Sequence, residues 1–336
     1  MEIVAELSCN HLGKLKRAIT TIESAKGCGA DAVKLQCWHP DLMVIDRTYV
    51  IPSGAWAGRN LYDLYQEAWT PWEWFPILFD KAREIGIDCF ASVFDTEALS
   101  FLENMGCPRY KIASFEALDI PLVKAVADTG KPMIVSTGLM VEEDLERISY
   151  WGVARRLTLL KCISEYPATS WQYNLALLST LGQYADKVGV SDHTLGKVVP
   201  AAAAALDCDM LEKHFTLNRA DGGPDAAFSS EPKEFFEMMM MCRRVSRCRG
   251  IPEFTRPSDS ALSLARSLYI TAPLIKGETL YQEFVDAHVR SARPALGMSP
   301  NEIDNLTGKV VACDLPAGSQ LTWGSLCDAH ELAPSH

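Results

Sequence analysis

This sequence predicts an α/β fold, a (β/α)8 barrel (TIM barrel) followed by a small β-rich domain, and three observations carry that expectation. Apolar strand-like runs alternate with amphipathic helix-like stretches eight times across residues 1–247. No Gly-x-Gly-x-x-Gly follows the first run, which favours a closed barrel over a doubly wound sheet. Charged or hydrogen-bonding residues stand at the end of every run, where a barrel gathers its ligands and catalytic groups.

In order, the strand-like runs are residues 2–7, 32–36, 88–92, 110–114, 132–137, 158–163, 187–191 and 210–214. Helical periodicity is clearest at 16–25, 72–85, 96–105 and 234–244, and residues 198–206 are an alanine-rich helical stretch. Thr70 and Pro71 read as N-cap and first helical residue of the 72–85 helix. The long insertion at 39–70 is rich in Trp, Tyr and Gly, and that aromatic content predicts order. Its rings suit either a sugar face or packing at the barrel mouth. Pro and Ser collect in residues 248–265, a linker between the barrel and a module at 266–330. Short strands are expected there within 266–280, 293–298 and 315–321. A module of that size has little core of its own, so it should dock on its own barrel or a partner's.

Composition narrows the function. With 48% hydrophobic and 22% charged residues the chain reads as a globular enzyme. A net charge of −11 argues against nucleic acid or an anionic membrane as partner. No apolar run approaches the roughly 18 residues that span a bilayer. The opening M-E-I-V-A-E-L lacks a basic n-region and reads as a strand rather than a signal peptide. Eleven cysteines without a C-x-x-C pair suggest reduced, mostly buried thiols and a cytoplasmic location.

The strand ends suggest chemistry. Glu6 closes the first, Lys34 and Gln36 the second, and Ser92 the third; Lys111, Ser114 and Glu116 mark the fourth. Ser136, then Ser164 and Tyr166, follow the fifth and sixth; Ser191 with His193, and His214, end the last two, and Asp225 lies just beyond. A lysine rooted in a barrel interior is costly unless it meets an anion. Lys34 and Lys111, with Ser92, Ser114, Ser136 and Ser191, therefore suggest a phosphate or carboxylate site; the alternative is simple pairing with Glu6 and Glu116. Neutral imidazoles at adjacent strand ends suit a metal with open positions. The alternative is that His193 caps a turn and His214 is hydrogen-bonded in the core.

Taken together, A-E-L-S-C-N-H, D-A-V-K-L-Q, Y-K-I-A-S-F-E, S-E-Y-P, S-D-H-T-L-G and E-K-H-F-T-L resemble the sialic acid synthase family. That family joins a TIM barrel to a small antifreeze-like (SAF) domain. The stretches G-A-W-A-G-R-N-L-Y-D-L-Y and N-R-A-D-G-G-P-D are similar to its pseudaminic acid synthase branch rather than to N-acetylneuraminate synthase. The resemblance implies condensation of phosphoenolpyruvate (PEP) with an acetamido-sugar aldehyde, 2,4-diacetamido-2,4,6-trideoxy-L-altrose in this branch, with release of phosphate. N-acetylneuraminate or legionaminate synthesis is the neighbouring alternative. It implies PEP on Lys34, Ser92, Lys111, Ser114, Ser136, Ser164 and Ser191, and a divalent metal, Mn²⁺, Mg²⁺ or Co²⁺, on His193 and His214. The sugar falls to Glu6, Tyr166 and Asp225, with Arg293 contributed across a domain-swapped homodimer. Glu6, Glu116 and Lys111 are the implied catalytic groups. Three departures stand out: Val93 where a proline is usual, Ile163 where a small hydroxyl residue is usual, and a short connection at 140–157.

Overall fold

The computed structural model describes residues 1–149 and 156–328. Eight parallel strands close a barrel in chain order: β1 (Glu2–Glu6), β2 (Ala32–Cys37), β3 (Asp88–Val93), β4 (Tyr110–Ile112), β5 (Met133–Ser136), β6 (Leu157–Cys162), β7 (Lys187–Asp192) and β8 (Met210–His214). Their registers place Glu6 beside both Lys34 and His214, and Ser92 beside Lys111. Ser191 lies beside Cys162 and Glu212. The polar strand ends thus meet at one end of the barrel.

Aliphatic and aromatic side chains from strands and helices make a continuous core, with Ile3, Val33, Phe90, Ile112, Val135, Leu160 and Leu211 at 0–2% exposure. Buried on both faces, such strands read as apolar runs rather than alternating ones, which is why they are visible in the sequence. Helices Leu15–Gly27, Thr96–Asn104 and Val198–Ala205 lie where periodicity put them. Gly86, at φ +69°, supplies the left-handed residue that stops helix Phe75–Ile85.

That helix corrects one expectation. Thr70 does not cap it: the helix starts at Phe75, after a 3-10 turn at Trp72–Trp74. The buried Thr70 hydroxyl instead meets His11 Nε2 at 3.0 Å. The 39–70 insertion is ordered around helices Pro40–Met43 and Leu61–Ala68. The last barrel helix runs from Pro232 to Arg249, well past the expected 234–244.

The chain divides into two compact units, Met1–Gly250 and Ile251–His336. In the second, the stretch expected to be linker holds a short helix, Asp259–Ser263. Its strands are β9 (Ser267–Ile270) antiparallel to β10 (Val289–Ala292), and β11 (Val310–Val311) antiparallel to β12 (Leu326–Cys327). Residues 293–298 and 315–321 are not strands. The first of these contains Pro294, which has no N–H to give a ladder, and the second makes isolated bridges at Leu315 and Gln320. Leu268, Ile270, Leu280, Val311 and Leu321 form this unit's own small core. Residues 150–155 of the 140–157 connection, and the chain end from 329, lie outside the described residues.

Candidate active site

At the C-terminal ends of the strands, four charged side chains share the barrel interior. Glu6, Lys34, Lys111 and Glu212 are each no more than 3% exposed. The Lys34 ammonium lies 3.1 Å from Glu6 Oε2 and 3.2 Å from Glu212 Oε1, and donates to Ser92 Oγ at 2.9 Å. Lys111 reaches Glu212 at 3.8 Å. Burial works against ionised Glu212, but Lys111 and Lys34 outweigh it and hold the carboxyl down at about 2. Burial dominates at Glu6 and raises it. Lys34 is thus shared between Glu6 and Glu212, while Lys111 has only the more distant Glu212 and is lowered by burial; an anion beside it would favour its charged form.

Hydroxyls complete that cup. Ser191 donates to Glu212 at 3.0 Å, and the Gly138 N–H donates to Ser114 Oγ at 3.2 Å. The buried hydroxyls of Ser136 and Ser164 have no protein partner. A Cβ on Gly138 would collide with the hydroxyls of Ser164 and Ser114, so the missing side chain keeps the cup open. Buried orphan hydroxyls are uncommon and point to an absent acceptor or donor.

Glu116 is not the lysines' counter-ion. It forms no ion pair among the described residues, and its Oε2 is buried without a hydrogen bond. Burial raises its carboxyl to about 7, against a smaller opposing pull from Lys111. A carboxyl half-protonated near neutrality is suited to giving and taking protons.

His193 and His214 face one another with ring centroids 5.4 Å apart. His193 Nδ1 donates to the Ile163 carbonyl at 2.7 Å, which leaves Nε2 for another partner; burial works against the charged ring, but Cys162 and this carbonyl outweigh it and raise His193 above the usual imidazole range. The unusual side chain at Ile163 is therefore immaterial to this contact. Burial, with His193 and Lys34 adding to it, keeps His214 neutral, and its Nδ1 is buried without a hydrogen bond. Asp225 Oδ2 lies 3.6 Å from that nitrogen. These donors fit a divalent ion that keeps several open positions. Among the described residues no group of three or more His, Cys, Asp or Glu is placed to hold a metal ion.

His214 borders a cavity of about 950 Å³ whose lining also includes Gln36, Trp38, Trp56, Tyr166 and Asp225. The Tyr166 ring is 4.3 Å from His193 and 5.2 Å from Trp56, which comes from the 39–70 insertion and donates to the Pro224 carbonyl at 2.9 Å. Asp225 accepts from the Ser8 hydroxyl, and burial raises its carboxyl to about 6. The insertion therefore forms one wall of this cavity.

Within the barrel unit the expected residues converge: Glu6, Lys34, Ser92, Lys111, Ser114, Glu116, Ser136, Ser164, Tyr166, Ser191, His193, His214 and Asp225 all stand at strand ends or the loops after them. Arg293 belongs to the second unit, where it is exposed and its Nε donates to the Leu264 carbonyl at 2.6 Å. Sequence reasoning missed Glu212. Its signal is the two-residue alternation in Glu212-Lys213-His214, which puts the carboxylate on the same face as the histidine. It also passed over Trp56 and Ser8, whose places depend on loop conformation.

The sequence matches the NeuB family over residues 21–253 and the SAF domain over residues 265–326. It is 37% identical to the pseudaminic acid synthase of Campylobacter jejuni, across 96% of this chain and 95% of that protein. It is 32% identical to the N,N'-diacetyllegionaminic acid synthase of Legionella pneumophila, across 96% and 93%. Among solved structures, the N-acetylneuraminic acid synthetase of Leptospira borgpetersenii, in complex with citrate, superposes with a TM-score of 0.69 at 28% identity, covering 77% of this chain and 87% of that one. Fold, domain order and full-length likeness agree: the chain belongs to the NeuB family and is an enzyme of the sialic acid synthase type.

Proposed function

We propose that this nonulosonic acid-forming enzyme condenses PEP with 2,4-diacetamido-2,4,6-trideoxy-L-altrose to give pseudaminic acid and phosphate. The observation that carries this reading is an anion cup and an imidazole pair at one end of one barrel. The cup is Lys34 and Lys111 with the open hydroxyls of Ser136 and Ser164; the pair is His193 and His214. Likeness to the Campylobacter protein supports the choice of sugar.

In this reading C3 of PEP forms a bond to the aldehyde carbon, water adds at C2, and the resulting tetrahedral centre expels phosphate by C–O cleavage. Lys34 and Lys111, with Ser92, Ser114, Ser136, Ser164 and Ser191, hold the phosphate and carboxylate and offset their charge. Tyr166, Asp225 and Glu6 orient the sugar. Glu116 and Glu6 move the protons, Glu116 from a carboxyl held near neutrality. A divalent ion on His193 and His214, Mn²⁺, Mg²⁺ or Co²⁺, supplies Lewis-acid polarisation of the aldehyde oxygen when bound.

The working unit in this reading is a domain-swapped homodimer in which Arg293 of the partner subunit closes the sugar site. Phe115, Leu139, Trp171 and Leu195, on loops after β4 to β7, expose 45–83% of their apolar surfaces, a collar suited to a covering module. The eleven free thiols, most of them buried, accord with a reducing cytoplasm. Among the described residues no helix is long and apolar enough to cross a membrane.

The test is to offer the candidate acetamido sugars side by side with PEP and follow phosphate and product. Release with the trideoxy-altrose sugar is expected, and bridging ¹⁸O of PEP should leave with phosphate. Preference for another acetamido sugar would make this an N-acetylneuraminate or legionaminate synthase. Label retained in the product would overturn C–O cleavage.

A further inference from the structure

On the outer side of the barrel wall, Asp192 and Lys213 form an ion pair at 2.6 Å, their side chains 0% and 2% exposed. They are register partners on β7 and β8, directly after the partners Ser191 and Glu212 and directly before His193 and His214. Because successive side chains of a strand alternate faces, three linked layers result. Ser191 and Glu212 meet inside the barrel at 3.0 Å. Asp192 and Lys213 meet outside it. The two imidazoles come next, at the mouth.

The pair also grips the backbone on the far side of His193. Lys213 donates to the Thr194 carbonyl at 2.6 Å, and Asp192 Oδ1 accepts from the Thr194 N–H at 2.9 Å. His193 therefore sits between two residues tied to β8. Stability alone does not account for such a pair, since a buried ion pair is commonly no better than apolar residues of the same volume. Apolar packing lacks direction, however, and would leave the turn at His193–Thr194 free to shift against β8.

We propose that Asp192 and Lys213 are positioning residues that set the placement of His193 relative to His214, and thereby the affinity for the divalent ion. The proposal rests on the reading of the two histidines as metal ligands. Its test compares Lys213→Met, Lys213→Arg and Asp192→Asn with Arg109→Met. Arg109 pairs with Glu2, its Nη1 2.9 Å from Glu2 Oε2, at the opposite end of the barrel. The readouts are Mn²⁺ affinity by electron paramagnetic resonance, histidine ring ¹⁵N signals of the metal-free protein, and Tm.

Lys213→Met should weaken Mn²⁺ binding by about ten-fold or more, the size of loss typical when a metal ligand's support is removed. It should also shift the ring signals of His193 and His214. Lys213→Arg should recover most of the affinity, because its guanidinium still donates to Asp192. Arg109→Met should lower Tm with metal affinity and ring signals unchanged. A Lys213→Met protein that loses Tm like the control but keeps both other readouts overturns the proposal. Should Lys213→Met fail to fold, unchanged affinity and ring signals in Asp192→Asn overturn it equally. If the wild-type protein binds no Mn²⁺, the metal reading falls, and the ring signals still decide whether the pair places the imidazoles.

Discussion

Lys34 Nζ lies 3.2 Å from Glu212 Oε1 inside the barrel, and neither side chain is more than 4% exposed. Glu212 is the shared counter-ion of Lys34 and Lys111, so its removal should act on folding and on ligand binding in opposite directions. Glu212→Gln leaves two buried ammonium groups short of charge, which should cost about 3 kcal/mol or more in a urea titration. The same change should tighten inorganic phosphate binding, since one repelling carboxylate is gone. Weaker phosphate binding in a folded Glu212→Gln protein would place the anion elsewhere.

Lys111 tests the anion cup from the other side. Lys111→Ala removes a charge-assisted contact worth about 1.5–3 kcal/mol, so PEP affinity should fall by roughly ten-fold or more. Calorimetric titration of PEP measures this directly. Unchanged affinity would leave Lys111 as a structural partner of Glu212 alone.

Most of this architecture was legible because of burial. Parallel strands covered on both faces appear as apolar runs, so their ends, and Glu6, Lys34, Lys111 and His214 upon them, could be located from the sequence. Glu212 was less visible because it lies among Lys213 and His214, and only its face, not its type, separates its role from theirs. The 39–70 insertion was readable as ordered, but not that Trp56 packs on Tyr166 beside the cavity. That contact depends on a loop path with no periodicity to reveal it. The cap misassigned to Thr70 failed for a tertiary reason, since its hydroxyl is taken by His11, a partner far away in sequence.

Glu116 should set a pH dependence. Burial raises its carboxyl from 4.5 to about 7. The folded state thus holds its proton more tightly than the unfolded state, and this group makes stability fall as pH rises from about 4.5 to 7. Glu116→Gln should therefore be more stable than wild type at pH 8, by on the order of 1 kcal/mol. Its rate profile should also lose an inflection near neutrality. A variant with unaltered pH dependence of both stability and rate would exclude Glu116 as the titrating group.

Metal removal gives a further prediction. With only His193 and His214 as ligands, the ion should exchange readily. Dialysis against a chelator should abolish turnover, and Mn²⁺, Co²⁺ or Mg²⁺ should restore it. His214→Ala should lose turnover while keeping a cooperative melt, because the ring lies at the barrel mouth rather than in the apolar core. Full turnover in excess chelator would sink the metal reading.

The last prediction concerns Arg293, which the second unit leaves exposed. A cationic intermediate at C2 must meet water only when capture is due, so the mouth of the barrel needs a cover. If the partner subunit provides it, Arg293→Ala should raise the sugar's KM and lower kcat while PEP affinity stays near wild type. His214→Ala should be inactive through a lesion in its own barrel. Each site of a swapped dimer takes its barrel from one subunit and its arginine from the other. Mixing the impaired Arg293→Ala protein with the inactive His214→Ala protein and allowing subunits to exchange then gives hybrids with one site carrying both lesions and one carrying neither. Activity should rise above that of the Arg293→Ala protein alone, approaching half the wild-type rate per hybrid dimer. A mixture whose subunits demonstrably exchange, yet which gains no activity over the Arg293→Ala protein, would mean that Arg293 serves its own barrel or none.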